Sequence, residues 1–201
     1  MQDLNAWNNS TTKEKIWNTS LILFSDKGYS SVSMRDIAKA VGINAASIYN
    51  HFASKEDILK SFYDFYNENR NAAAPKLETL LQLCETLDPV EVLLKLNYHY
   101  PPEIQESMDR IVIVSSREIN SDPQSEAFIC SFLEGFDQLV VPLLERLVSL
   151  KKIAPLDIRA FSVLNKYFCY SAAVLNNSPF ILSLEEWNAG FSMLMSMIKI
   201  I

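Results

Sequence analysis

Three helix starts fall within residues 33–55, SMRDIAKAVGINAASIYNHFASK, and a single glycine stands between the first two. Ser33 with Asp36, and Ser54 with Asp57, have capping-box spacing, in which a hydroxyl accepts from the third helical amide and the carboxylate answers the N–H of the cap. Asn44 is a strong N-cap residue in its own right. New helices are therefore predicted near 34, 45 and 55. Ile37, Ala38 and Val41 give the first of them an apolar face, Gly42 supplies the positive backbone angle of a tight turn, and Ile43 and Ile48 return to the core. Ala38 must be small because a second helix crosses close to it. Two short helices around a tight turn form a helix-turn-helix unit.

Residues 12–58 resemble the N-terminal domain of TetR-type transcriptional regulators. The pattern runs through Lys13, Ile16 and Phe24, Gly28-Tyr29, Arg35-Asp36-Ile37-Ala38, Gly42-Ile43, Ile48-Tyr49, His51-Phe52 and Ser54-Lys55-Glu56. Thr19-Ser20 departs from it where alanines are usual, and Val32 where threonine is common; neither removes a helix or the turn. The resemblance implies an all-α fold: a three-helix DNA-binding domain over residues 1–55, then a larger helical effector-binding and dimerisation domain over 56–201. It also implies a regulator, usually a repressor, that binds a palindromic operator as a homodimer and is released by a small-molecule effector.

Composition is consistent with a helical globular chain. Only four of the 201 residues are glycine, too few for a hairpin-rich sheet protein. The N-terminus has no basic region followed by an apolar run, and no stretch of the sequence reads as a membrane span, so a cytoplasmic protein is expected. Cys84, Cys130 and Cys169 are odd in number and widely spaced, which predicts reduced, buried thiols. With only His51 and His99 beside them, neither a metal site nor a cofactor is expected.

The net charge of −6 divides unevenly: residues 1–70 hold 8 basic and 8 acidic side chains, whereas residues 71–201 hold 10 and 16. A neutral head with a few placed cations can still bind phosphate, with a modest salt dependence and little non-specific affinity. Binding would then depend on a dimer presenting two heads.

Helices are predicted at 11–28, 33–41, 44–51, 54–73, 75–87, 89–99, 102–120, 123–151, 155–176 and 184–200. Ile16, Trp17, Leu21 and Phe24 form the apolar stripe of the first, and prolines at 75, 89, 101, 102, 123 and 155 stand near helix starts, where a missing amide costs little.

In helix-turn-helix docking the second short helix enters the major groove while flanking residues clamp the backbone. By resemblance Ser33, Arg35, Tyr49, His51 and Lys55 touch phosphates, and Asn44 is also expected among the DNA-binding residues. Base reading falls to Ala45, Ala46, Ser47 and Asn50 on the helix that Asn44 caps. The alanines offer only methyl contact to thymine, whereas Asn50 can pair with the two major-groove groups of adenine. Each residue also has a purely structural reading: Ser33 as a cap, His51 packed beside Phe52, Lys55 as a solvated charge.

The last two helices resemble the four-helix dimer bundle of the family. Their apolar stripes are Phe161, Leu164, Phe168, Ala172 and Leu175 on one, and Trp187, Phe191, Leu194, Met195 and Ile198 on the other; Gly190 would allow close approach. Between head and bundle, Tyr98, Arg110, Arg117, Phe128 and Phe132 are candidate effector contacts. Arg110 and Arg117 share a helical face and could meet an anion, although pairing with Glu106, Glu118 or a distant carboxylate is the stronger expectation. A helical interaction or sensor protein without DNA binding, or an activator of the same family, is the alternative. An enzyme is not expected, because there is no phosphate-cradling glycine loop and His99 has no recognisable nucleophile partner.

Overall fold

The computed structural model describes residues 11–96, 100–175, 189–190, 192–194 and 196–200. Four helices make the head and its exit: α1 (Thr12–Lys27), α2 (Met34–Val41), α3 (Ala45–Ile48) and α4 (Lys55–Ala73). Beyond them come α5 (Leu77–Thr86), α6 (Pro89–Leu94), α7 (Pro102–Glu118), α8 (Pro123–Ser149) and α9 (Ile158–Leu175). No β-strand occurs among the described residues, apart from an isolated antiparallel bridge between Ile153 and Ile200.

The caps act where their spacing put them. Thr11–Glu14 and Ser33–Asp36 form complete capping boxes, and the Asn44 side chain accepts from the Ser47 amide at 2.9 Å. Ser54 accepts from the Asp57 amide, but the Asp57 carboxylate reaches past the cap to the Ala53 amide. Gly42 closes α2 in the left-handed region, at φ 80° and ψ 28°, where a side chain would be strained. Three helices, α3, α6 and α9, are cut back furthest from the expected ranges. After α3 the chain tightens into i→i−3 bonds, from Asn50 to Ser47 and from His51 to Ile48, and α6 ends the same way at Lys95 and Leu96. The ninth starts at 158 rather than 155 because Asp157 acts as its cap, accepting from the Ala160 amide.

One core joins Ile16, Leu21, Phe24, Ile37, Ile48, Ile58 and Phe62 of the head to Met108, Ile111, Val112, Val114, Phe128 and Phe132 of α7 and α8. The expected division at residue 55 coincides with the start of α4, but apolar packing runs across it. A second core gathers Leu80, Cys84, Val92, Leu143, Leu144, Leu147, Phe161, Leu194 and Ile198. Because α8 serves both, it is apolar on several faces. It is thus long and apolar enough, by length and composition, to cross a membrane, contrary to the expectation that no stretch would be. The thiols also differ from expectation: Cys84 is buried, Cys169 half-buried and Cys130 exposed. Burial pushes the Cys169 thiol up to about 12.

Candidate nucleic-acid interface and helical groove

The helix-turn-helix edge is built by α2, the Gly42 turn and α3. Ile37, Ala38 and Ile48 are buried beneath it, with α2 packed against α1 and α3 against α2. Arg35 projects from the exposed first turn of α2 and makes no ion pair among the described residues. Tyr49 is 56% exposed although its neighbour Ile48 is fully buried, and Asn50 and Ala46 are also exposed. Ala45 is half-buried and packs on the head core, and Ser47 is half-buried, so the outward face is narrower than the four residues expected. Ser33 is engaged in its cap, donating to Asp36 Oδ2 at 2.5 Å and accepting from the Asp36 amide at 3.2 Å. His51 is half-buried next to buried Phe52, and Lys13 stands over the Phe52 ring at 5.4 Å.

Lys55 is not a free surface charge. Its Nζ donates to the carbonyls of Tyr29 and Val32, both at 3.0 Å, and lies 4.1 Å from the centroid of the Tyr29 ring. Two of its three N–H groups thus hold the loop before α2, leaving one that could meet a phosphate.

The two arginines assigned to an effector face the head instead. Arg110 pairs with Glu106 and Asp26 and donates to Ser25 Oγ at 2.7 Å, while Arg117 donates to the Ser25 carbonyl. Glu118 accepts from Ser30 Oγ at 2.9 Å and from Ser121 Oγ at 2.8 Å. Burial would raise the Glu118 carboxyl, but the hydrogen bonds from Ser121 and Ser30 outweigh it and hold the group below its ordinary value. The C-terminal half of α7 therefore latches the α1–α2 corner to the larger domain. Spacing placed both arginines on one face of α7, but it could not show that α1 lies against that face.

Phe128 and Phe132 do line a space, a groove of about 300 Å³ between α4 and α8. Tyr63 and Tyr66 share its floor, with Tyr63 stacked on Phe128 at 4.7 Å and Tyr66 edge-on to Phe128 at 4.9 Å. Asn67, Arg70, Gln124 and Ser131 line it as well. Sequence reasoning missed Tyr63, Tyr66 and Arg70 as groove residues; the signal was the run of aromatics on α4 ending in an arginine. Tyr98 lies outside the described residues.

The expected dimer residues separate into two sets. Phe161, Leu194 and Ile198 are buried in the second core of the chain itself, so they are not free to face another copy. Leu164 is exposed, as are Val163, Tyr167, Met193 and Met197, which the sequence reading did not select. The stripe drawn on α9 had straddled two adjacent faces. Phe168 lies so close to Gly190 that a Cβ there would come within 2.7 Å of its ring, a close approach within the chain itself. Trp187, Phe191 and Met195, and the side chains of Ala172 and Leu175, lie outside the described residues. The described residues include no histidine, cysteine and carboxylate cluster fit for a metal.

Fold and site together define a helix-turn-helix head latched to a larger helical domain. Residues 16–62 match the sequence profile of bacterial regulatory proteins of the tetR family. The biofilm operon icaADBC HTH-type negative transcriptional regulator IcaR of Staphylococcus aureus (strain Newman) is 38% identical over 78 residues. That alignment covers 35% of this chain and only 42% of IcaR. Over most of its length the chain has the fold of solved regulators. The ketosteroid transcriptional regulator KstR2 of Mycobacterium tuberculosis superposes with a TM-score of 0.64 at 17% identity, covering 94% of this chain and 96% of KstR2. A transcriptional regulator from Saccharomonospora viridis, in complex with choline, does so with a TM-score of 0.59 at 16% identity, covering 94% and 97%.

Proposed function

We propose that this protein is a DNA-binding transcriptional repressor that binds a palindromic operator as a homodimer and is released by a small-molecule effector. The observation that carries this reading is the α2–turn–α3 edge, whose helices are capped and buried from behind while Arg35, Ala46, Tyr49 and Asn50 stay exposed in front. Arg35, Tyr49 and the remaining N–H of Lys55 suit phosphates, and Asn50 suits adenine. Repression is supported by likeness to a negative regulator, IcaR. A small-molecule effector is supported by the α4–α8 groove and by the choline complex of a structural neighbour. Val163, Leu164 and Tyr167, close together on α9, are exposed, as are Met193 and Met197, and exposed apolar surface of this kind supports a homodimer. A twofold pair would set its two recognition helices about one DNA turn apart or a multiple of it. The protein acts in the cytoplasm and carries no cofactor or catalytic site.

The test is selection from random duplex DNA by the purified protein, followed by sequencing of what is retained. An enriched palindrome is the expected result. Absence of any enriched sequence, with and without cell extract, would favour a helical interaction protein whose head does not bind DNA.

A further inference from the structure

The α4–α8 groove combines features that select its occupant. Its floor is aromatic, from Tyr63, Tyr66, Phe128 and Phe132, and no carboxylate lines it. Arg70, in the last turn of α4, is half-buried in it, and its guanidinium makes no hydrogen bond or ion pair with any described residue. A guanidinium stays charged at any physiological pH, and leaving one beside apolar surface without a partner is costly. Gly135 of α8 leaves room for the guanidinium: a Cβ there would sit 3.1 Å from Arg70 Nη1. The volume, about 300 Å³, is at the small end of ligand sites.

We propose that this groove binds a small aromatic carboxylate, with its carboxylate paired to Arg70 and its ring against the Phe128–Phe132 wall. The planar fork of arginine suits two-point binding of a carboxylate, and a cationic ligand would meet like charge. The same helix carries Arg70 in its last turn and Lys55, which holds the loop before α2, in its first, so a ligand drawing α4 toward α8 acts on the head through one rigid element. That consequence rests on the regulator reading; binding in the groove does not, and is measured without DNA.

Isothermal titration of the full chain with benzoate and phenylacetate, against benzamide and phenylacetamide, tests it. At least one carboxylate is expected to bind roughly tenfold or more tightly than its amide, as loss of a charge-assisted pair implies. Arg70→Gln is expected to lose that advantage with its unliganded Tm unchanged. Gly135→Ala should weaken binding while keeping the cation. Should Arg70→Gln shift the Tm, Arg70→Lys decides: weaker carboxylate binding supports two-point recognition and unchanged binding overturns it. The proposal also falls if neither carboxylate binds in the millimolar range, if acid and amide bind alike, or if Arg70→Gln binds as the parent does. Carboxylate binding without any enriched operator would leave the groove assignment standing and remove only the regulator reading.

Discussion

Two serines on α1, both buried, should respond to the same substitution with opposite signs. Ser20 is fully buried, and its hydroxyl has no hydrogen-bond partner among the described residues. Ser25, 4% exposed, donates to the Ile22 carbonyl at 3.0 Å and accepts from Arg110 Nη1 at 2.7 Å. A buried, unsatisfied hydroxyl costs about 1–3 kcal/mol, and alanine is the better helix former by about 0.5 kcal/mol. Ser20→Ala should therefore stabilise the protein by about 2 kcal/mol, raising Tm by about 4–8 °C for a chain of this size. Ser25→Ala removes an acceptor of a charged donor, worth about 1.5–3 kcal/mol, against the same propensity gain, and should destabilise by about 1–2.5 kcal/mol. Thermal and urea unfolding of both variants measures this, with an unchanged urea slope showing that only stability moved. A neutral or destabilising Ser20→Ala, or two changes of the same sign, would refute the reasoning. The first would mean that the Ser20 hydroxyl is satisfied in solution.

Gly42→Ala should cost about 1–2 kcal/mol, since nothing lies within 4 Å of the added methyl and the penalty is the left-handed backbone alone; Gly42→Asn should cost less in the same unfolding assay. With a selected operator, Tyr49→Ala should weaken binding and leave Tm unchanged because the side chain is exposed, whereas Lys55→Ala should lower both, having lost the Tyr29 and Val32 carbonyls. Stability should decline in acid. Glu118 is held below its ordinary value of 4.5, and Asp137, bonded by Lys166 and Ser162, is held below its ordinary 3.8. Their contribution is complete above those ordinary values and is lost as pH falls through the lower folded-state values, so Glu118→Gln should flatten the first part of that decline in denaturation series from pH 6 downward. Leu164→Glu with Tyr167→Glu should yield monomers by analytical ultracentrifugation at concentrations where the parent is dimeric, without loss of helical signal, because both side chains are exposed. A parent that sediments as a monomer would remove the dimer reading.

What the sequence determined by itself is local. Caps act within three or four residues and a glycine turn within two, so Thr11, Ser33, Asn44, Ser54 and Gly42 announced the head's helices without reference to the rest of the chain. Helical periodicity likewise put Ile16, Leu21, Phe24, Ile37 and Ile48 into the core. Tertiary structure decided everything that depends on which face meets which neighbour. Arg110 and Arg117 share a face of α7, but only the position of α1 makes that face a latch on Ser25 and Asp26. Phe161 and Leu164 belong to one apolar stripe, yet one is 2% and the other 49% exposed, because only one side of α9 lies against the second core. Arg70 gains its meaning from Gly135, distant in sequence but close in space. A helix displays its side chains by its own geometry, whereas the choice of neighbour for each is a property of the assembled core.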